Sequence, residues 1–187
     1  STYRWSESRE FPKSISKKNA WDSQPTVSSD GNTIIFSSNR KGGYGKTDLY
    51  EINFENNQWS APKNLGTNIN SAEEEKSPFL HTDGKTLFFS STNFPTLGGF
   101  DIFYSRKDSL GKWQKPINIG YPINTSTDEV SLFVSTDGKT AYFASNKLIG
   151  EGGWDIYGFP LYEDAKPERV LFLKGDLNDE DGTFVKD

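Results

Sequence analysis

Ser28–Asn39 reads SSDGNTIIFSSN, and two later stretches repeat it almost letter for letter. They are HTDGKTLFFSST (His81–Thr92) and STDGKTAYFASN (Ser135–Asn146). The Asp-Gly pair in each supplies residues that tolerate positive φ in a hairpin. The run that follows is rich in β-branched and aromatic residues, which suit a strand. A motif that returns at fixed spacing marks an array of equal units, so the period is read before any catalytic motif.

The period is shared by independent landmarks. Asp30-Gly31, Asp83-Gly84 and Asp137-Gly138 stand 53 and 54 residues apart. Asp48, Asp101 and Asp155 open DLY, DIF and DIY at the same separations. Trp59 and Trp113 open WSAPKNLGTNIN and WQKPINIGYPIN, 54 apart. Each unit divides into strands: a short segment before the turn, the run after it, and a third strand after a Gly-rich connection. A fourth strand centres on Trp-x-x-Pro, where the proline argues for a sheet edge because it cannot donate to a ladder. Four antiparallel strands in roughly 50 residues make one blade of a β-propeller.

The expected architecture is therefore all-β, with four-stranded blades over 21–70, 71–124 and 125–167. FPKSI (Phe11–Ile15) resembles APKNL (Ala61–Leu65), so residues 1–20 are expected to hold the outer strand of a preceding blade and a linker. Pro167 stands where the next tryptophan is due, and residues 168–187 read as the first hairpin of a following β-sandwich. Propellers close with about four to eight blades. Three blades and a strand leave open edges, so the rest of the ring is expected from a longer protein or another chain.

Composition narrows the function classes. Formal net charge is −5, with 33% hydrophobic and 14% aromatic residues. There is no basic stripe for a phosphate backbone, which argues against nucleic acid. No apolar run approaches a spanning helix, so direct membrane insertion is not expected. Cysteine is absent, which removes disulfides, thiol catalysis and cysteine-type zinc sites together.

The unit P-x-x-S-x-D-G-x-T-x-x-F-x-S-N, followed by Gly-Gly and Asp-Ile-Tyr, resembles the TolB-like (WD40-like) propeller repeat over about Asp22–Glu163. The variant it is most similar to occurs in OmpA-family lipoproteins of the Bacteroidota cell envelope, including type IX secretion components. There, such blades precede a carboxypeptidase-regulatory-like β-sandwich and a peptidoglycan-binding domain. The resemblance implies a non-catalytic scaffold in the periplasm, associated with the outer membrane, whose partners are other envelope proteins. Peptidoglycan would be met only through a domain absent from these residues. TolB-like blades also gate prolyl peptidases, and sialidase propellers cut glycans. A hydrolase propeller and a glycan-binding lectin are therefore the alternatives.

Candidate residues follow from the repeats. His81 is the sole histidine and occupies a turn position where the other units carry serine, so no catalytic residue, metal or cofactor is assigned. Asp48, Asp101 and Asp155 are expected to hold the Gly-rich loops through backbone N–H groups, and Trp59 and Trp113 to pack between blades. Asp22, Glu75 and Glu129 open the first strands and are expected to ring one mouth of the central channel. There they would serve as a cation or basic-partner site, or in blade-to-blade hydrogen bonding. Tyr44, Phe94, Leu97 and Trp154 ride on the Gly-rich loops, where a partner could dock. DLNDEDG (Asp176–Gly182) lacks the EF-hand spacing and reads as a solvated turn.

Overall fold

The computed structural model describes residues 6–8, 10–147 and 152–171. These residues form three antiparallel sheets and no α-helix. The first sheet runs β1 (Asp22–Val27), β2 (Thr33–Ser38), β3 (Asp48–Glu55) and β4 (Gln58–Trp59), with β5 (Lys63–Asn64) also pairing with β3. The second runs β6 (Glu75–Leu80), β7 (Thr86–Ser91), β8 (Asp101–Arg106) and β9 (Ile117–Asn118). The third runs β10 (Glu129–Val134), β11 (Thr140–Ser145) and β12 (Asp155–Pro160). The inner strands β1, β6 and β10 are successive neighbours, so the sheets stand side by side like sectors of a disc. Among the described residues the sheets do not close into a ring.

Each Asp-Gly turn forms in the expected way. Gly31, Gly84 and Gly138 take φ of 75°, 67° and 70°, the left-handed region that glycine enters without steric cost. Asp30 and Asp137 close their turns by accepting from Asn32 N–H and Lys139 N–H, and from the hydroxyls of Ser28 and Ser135.

Strand alternation then decides packing, because successive side chains point to opposite faces. Ile35 and Leu49 face the second sheet and meet Leu80, Leu87, Phe89, Phe103 and Trp113. One period on, Phe88 and Ile102 face the third sheet and meet Leu132, Val134 and Phe143. Burying a side chain of this size contributes about 1.5–3 kcal/mol, so the sheet-to-sheet faces carry the core. In the third sheet the same positions are Tyr142 and Ile156, and Ile156 is 82% exposed.

Three expectations change. The outer strand is split at its proline: β4 and β5 flank Pro62, and in the second sheet a Lys107–Trp113 bridge precedes Pro116 and β9. A residue without an N–H interrupts the ladder where it stands. The third blade has three strands among the described residues; beyond β12 the chain enters a 3-10 turn, Glu163–Ala165, whose Ala165 is buried against the second sheet's cluster. Phe11–Ile15 is a turn segment, not a strand. It lies on the free face of the first sheet, with Ile15 buried beside Phe36, Tyr50 and Ile52, and Phe11 edge-on to Trp59 at 5.8 Å. Trp59 thus packs beneath this segment, and Trp113 packs between the first two sheets. The proposed sandwich hairpin lies, from residue 172 onward, outside the described residues, as does DLNDEDG.

Candidate functional site

The strands alternate in direction, so the Gly-rich loops and the connections into the inner strands share one end of the three sheets. Aspartates organise those loops. Asp48 accepts from Tyr44 N–H (2.6 Å) and Gly45 N–H (3.0 Å); Asp101 accepts from Leu97 N–H (2.8 Å). Tyr44 and Leu97 are therefore held at equivalent positions, 55% and 53% exposed. Trp154, just before Asp155, is 53% exposed. Phe94 differs from expectation: it turns inward onto Phe103, 5.4 Å between ring centres, because the loop leaves it facing the gap between the first two sheets.

The loops press against the next sheet. A Cβ on Gly45 would collide with the Glu73 carbonyl oxygen, and one on Gly98 would lie 2.5 Å from those of Thr125 and Thr127. Glycine is required there for close approach. Lys46 N–H donates to Glu73 O, and Phe100 N–H to the Asp128 carboxylate.

Asparagines that the repeat reading left unassigned complete the clamp. Asn64 Nδ2 donates to Asp48 Oδ2 and Asn118 Nδ2 to Asp101 Oδ2. Asn70 brackets the backbone of Leu49, accepting its N–H (2.8 Å) and donating to its carbonyl (2.9 Å). Asn124 brackets Ile102 in the same way. The signal was present as Asn-(Leu/Ile)-Gly-x-x-Ile-Asn in both units.

Glu75 and Glu129 do not stand open at a rim; both are fully buried. Glu75 accepts from Ser71 N–H, Ser71 Oγ and Ser91 Oγ. Glu129 accepts from Thr125 N–H and from the hydroxyls of Thr125, Thr127 and Ser145. Burial pushes the Glu75 carboxyl above its ordinary range, against the lowering effect of its serine donors. Asp22 is partly exposed and pairs with Arg40 at 2.8 Å, while Ser38 Oγ donates to it. Each carboxylate ties the entry of an inner strand to its neighbours. Among the described residues no three His, Cys, Asp or Glu side chains are grouped to hold a metal ion.

The inner strands carry a second repeated feature. Gln24, Ser77 and Ser131 have φ of 54°, 50° and 59°, each at a β-bulge between the two halves of its strand. A non-glycine residue in that region costs about 1–3 kcal/mol, and bulges re-aim side chains. Here they turn polar groups into a cleft of about 320 Å³ shared by the three inner strands. Gln24 Oε1 accepts from Ser77 N–H, and Thr26 Oγ1 from Leu80 N–H, so adjacent sheets are stitched together near the axis.

His81 is buried in its turn. Its Nδ1 accepts from Asp83 N–H and lies 3.6 Å from the Asp83 carboxylate; its Nε2 has no partner. Asp83 also accepts from Lys85 N–H, Thr86 and Glu168 N–H, tying the chain beyond the third sheet to the second sheet's turn.

Solved structures share this arrangement. TolB from Acinetobacter baumannii superimposes with a TM-score of 0.51 at 14% identity, over 74% of this chain and 29% of that one. A puromycin-hydrolyzing peptidase from Mycobacterium tuberculosis gives 0.53 at 15% identity, over 82% of this chain and 24% of its own. The fold is of the propeller type. A GH62 arabinofuranosidase catalytic domain from Coprinopsis cinerea aligns with a TM-score of 0.47 at 15% identity, over 80% of this chain and 49% of that one. The blades thus span less than a third of TolB and of the peptidase. No protein-family profile matches the chain, and no curated protein does. No helix among the described residues is long and apolar enough to cross a membrane.

Proposed function

We propose that the chain is a non-catalytic interaction module, an arc of propeller blades that offers its loop end to protein partners in the bacterial cell envelope. The observation that carries this reading is the placement of Tyr44 and Leu97. Both are large, exposed and anchored through their own N–H groups to a buried aspartate. Trp154, Trp21 and Tyr121 are exposed at the same end. Aromatic side chains on a backbone that is already ordered lose little freedom on binding, which favours their use as contact anchors. By its repeat, the chain resembles the propeller of OmpA-family envelope lipoproteins. Its features resemble the middle of PorE, a type IX secretion component, and that resemblance implies a periplasmic position beside the outer membrane. Peptidoglycan contact there belongs to a domain other than these residues.

Cross-linking from the loop end tests the proposal. A photo-reactive residue at Tyr44 or Leu97 is expected to capture a discrete envelope protein. The same group at Leu110, exposed at the opposite end, should not. Equal capture from both ends, or loss of no partner in a Tyr44→Ser, Leu97→Ser, Trp154→Ser variant that keeps its fold, would overturn it.

A further inference from the structure

The outer pieces of the first two blades are fixed by two asparagines six residues apart. Asn64 and Asn118 donate to the aspartate that opens the third strand, and Asn70 and Asn124 bracket the backbone of the residue after it. Leu65 and Ile119, just after the first asparagine, pack into the clusters that hold Leu49 and Ile102.

The third blade presents the receiving groups without the donors. Asp155 occupies the position of Asp48 and Asp101, and its Oδ2 is buried with no hydrogen-bond partner. Asp101 also keeps one unpartnered oxygen, but its other takes both Leu97 N–H and Asn118. Ile156 occupies the position of Leu49 and Ile102, which are fully buried, yet it stands in solvent. Among the described residues no strand pairs with the outer edge of β12. Leu161 and Ala165 instead carry the chain back between the second and third sheets. Asn178 is the one asparagine after Asp155, and Asp-Glu-Asp follows it. The N-terminal stretch in equivalent register, Ser14–Ala20, has Ser14 and Ala20 at the two asparagine positions.

We propose that the outer edge of β12 is a docking site for an extended segment bearing Asn-(Leu/Ile)-Gly-x-x-Ile-Asn, supplied from outside residues 1–187. The first asparagine donates to Asp155, the second brackets the N–H and carbonyl of Ile156, and the branched residue between them covers the Ile156 face. The surface continues an interface that the chain builds twice within itself. The mode is strand addition to a sheet edge, with side-chain amides setting the register.

The test is a fluorescein-labelled peptide of residues 61–71, APKNLGTNINS, titrated into the whole chain and read by anisotropy and amide hydrogen exchange. Saturable binding is expected, with slowed exchange over Asp155–Pro160. Asn64→Ala or Asn70→Ala in the peptide should weaken binding at least tenfold, and so should Asp155→Ala in the protein. The peptide substitutions leave the protein's folding untouched, so they decide the matter if the Asp155 variant is unstable. Equal binding by the alanine peptides, or no protection of β12, would overturn the proposal. So would sedimentation showing a dimer that Ile156→Lys separates and the peptide does not displace, since a second copy would then cover the face.

Discussion

Asn64 donates its side-chain amide to Asp48 across 2.6 Å, and Asn118 repeats the bond to Asp101 at 2.8 Å, 54 residues later. The pair joins the outer edge of a blade to the loop that displays Tyr44 or Leu97. Hydrogen bonds to a charged partner contribute about 1.5–3 kcal/mol. Asn64→Ala is therefore expected to lower stability by about that amount. Asp48→Ala should cost more, because it also strands the N–H groups of Tyr44 and Gly45. Urea denaturation of both single variants and the double variant checks this; the double variant should lose less than the two losses added.

Gly98→Ala should destabilise by about 1–3 kcal/mol, the usual cost of forcing atoms into a packed site. The added methyl meets two carbonyl oxygens at 2.5 Å, and neither belongs to a flexible side chain. Gly153→Ala, with nothing within 4 Å, is the control and should stay within about 0.5 kcal/mol. Thermal melts of the two variants distinguish close approach from a general penalty for losing glycine.

Acid should loosen the tie between the second blade's turn and the chain beyond the third. Burial raises the Asp83 pKa, but the N–H groups of Lys85 and Thr86 and the Thr86 hydroxyl, all donating to the carboxylate, outweigh it and hold the group below its ordinary 3.8. A carboxyl with a depressed folded value adds stability that is complete above the unfolded value and is lost as pH falls through the folded one. The stability difference between the native chain and Asp83→Asn should therefore stay level from about pH 7 down to about pH 5, and shrink as the pH falls further through the unfolded value of 3.8. A constant difference would show that the charge of Asp83 is not what matters.

Ile102 and Ile156 share a repeat position and should behave oppositely. Ile102 is buried between blades, so Ile102→Ala is expected to cost about 2–5 kcal/mol. Ile156→Ala should fall within about 0.5 kcal/mol in the isolated chain. Denaturant midpoints read both; a large loss at Ile156 would mean that its face is covered in solution.

Much of this was legible in the period. Asp-Gly at 30, 83 and 137 placed the hairpins, and the Asp48, Asp101 and Asp155 triplets placed the third strands. What the period could not carry was burial. Glu75 and Glu129 look like rim charges in sequence because charge suggests solvent; their hydroxyl donors lie up to 16 residues away and become neighbours only through strand pairing. The bulges at Gln24, Ser77 and Ser131 were equally silent, since no glycine marks them. Phe11–Ile15 matched an outer strand by pattern, but a strand needs a partner edge, and here the segment folds onto a face instead.

Pro62 and Pro116 divide the outermost ladder of the first two blades into pieces of one or two residues. A continuous row of free amides is what lets one polypeptide template another into fibrils. Neither blade offers such a row, so these sectors can crowd together at high concentration without seeding amyloid through their rims.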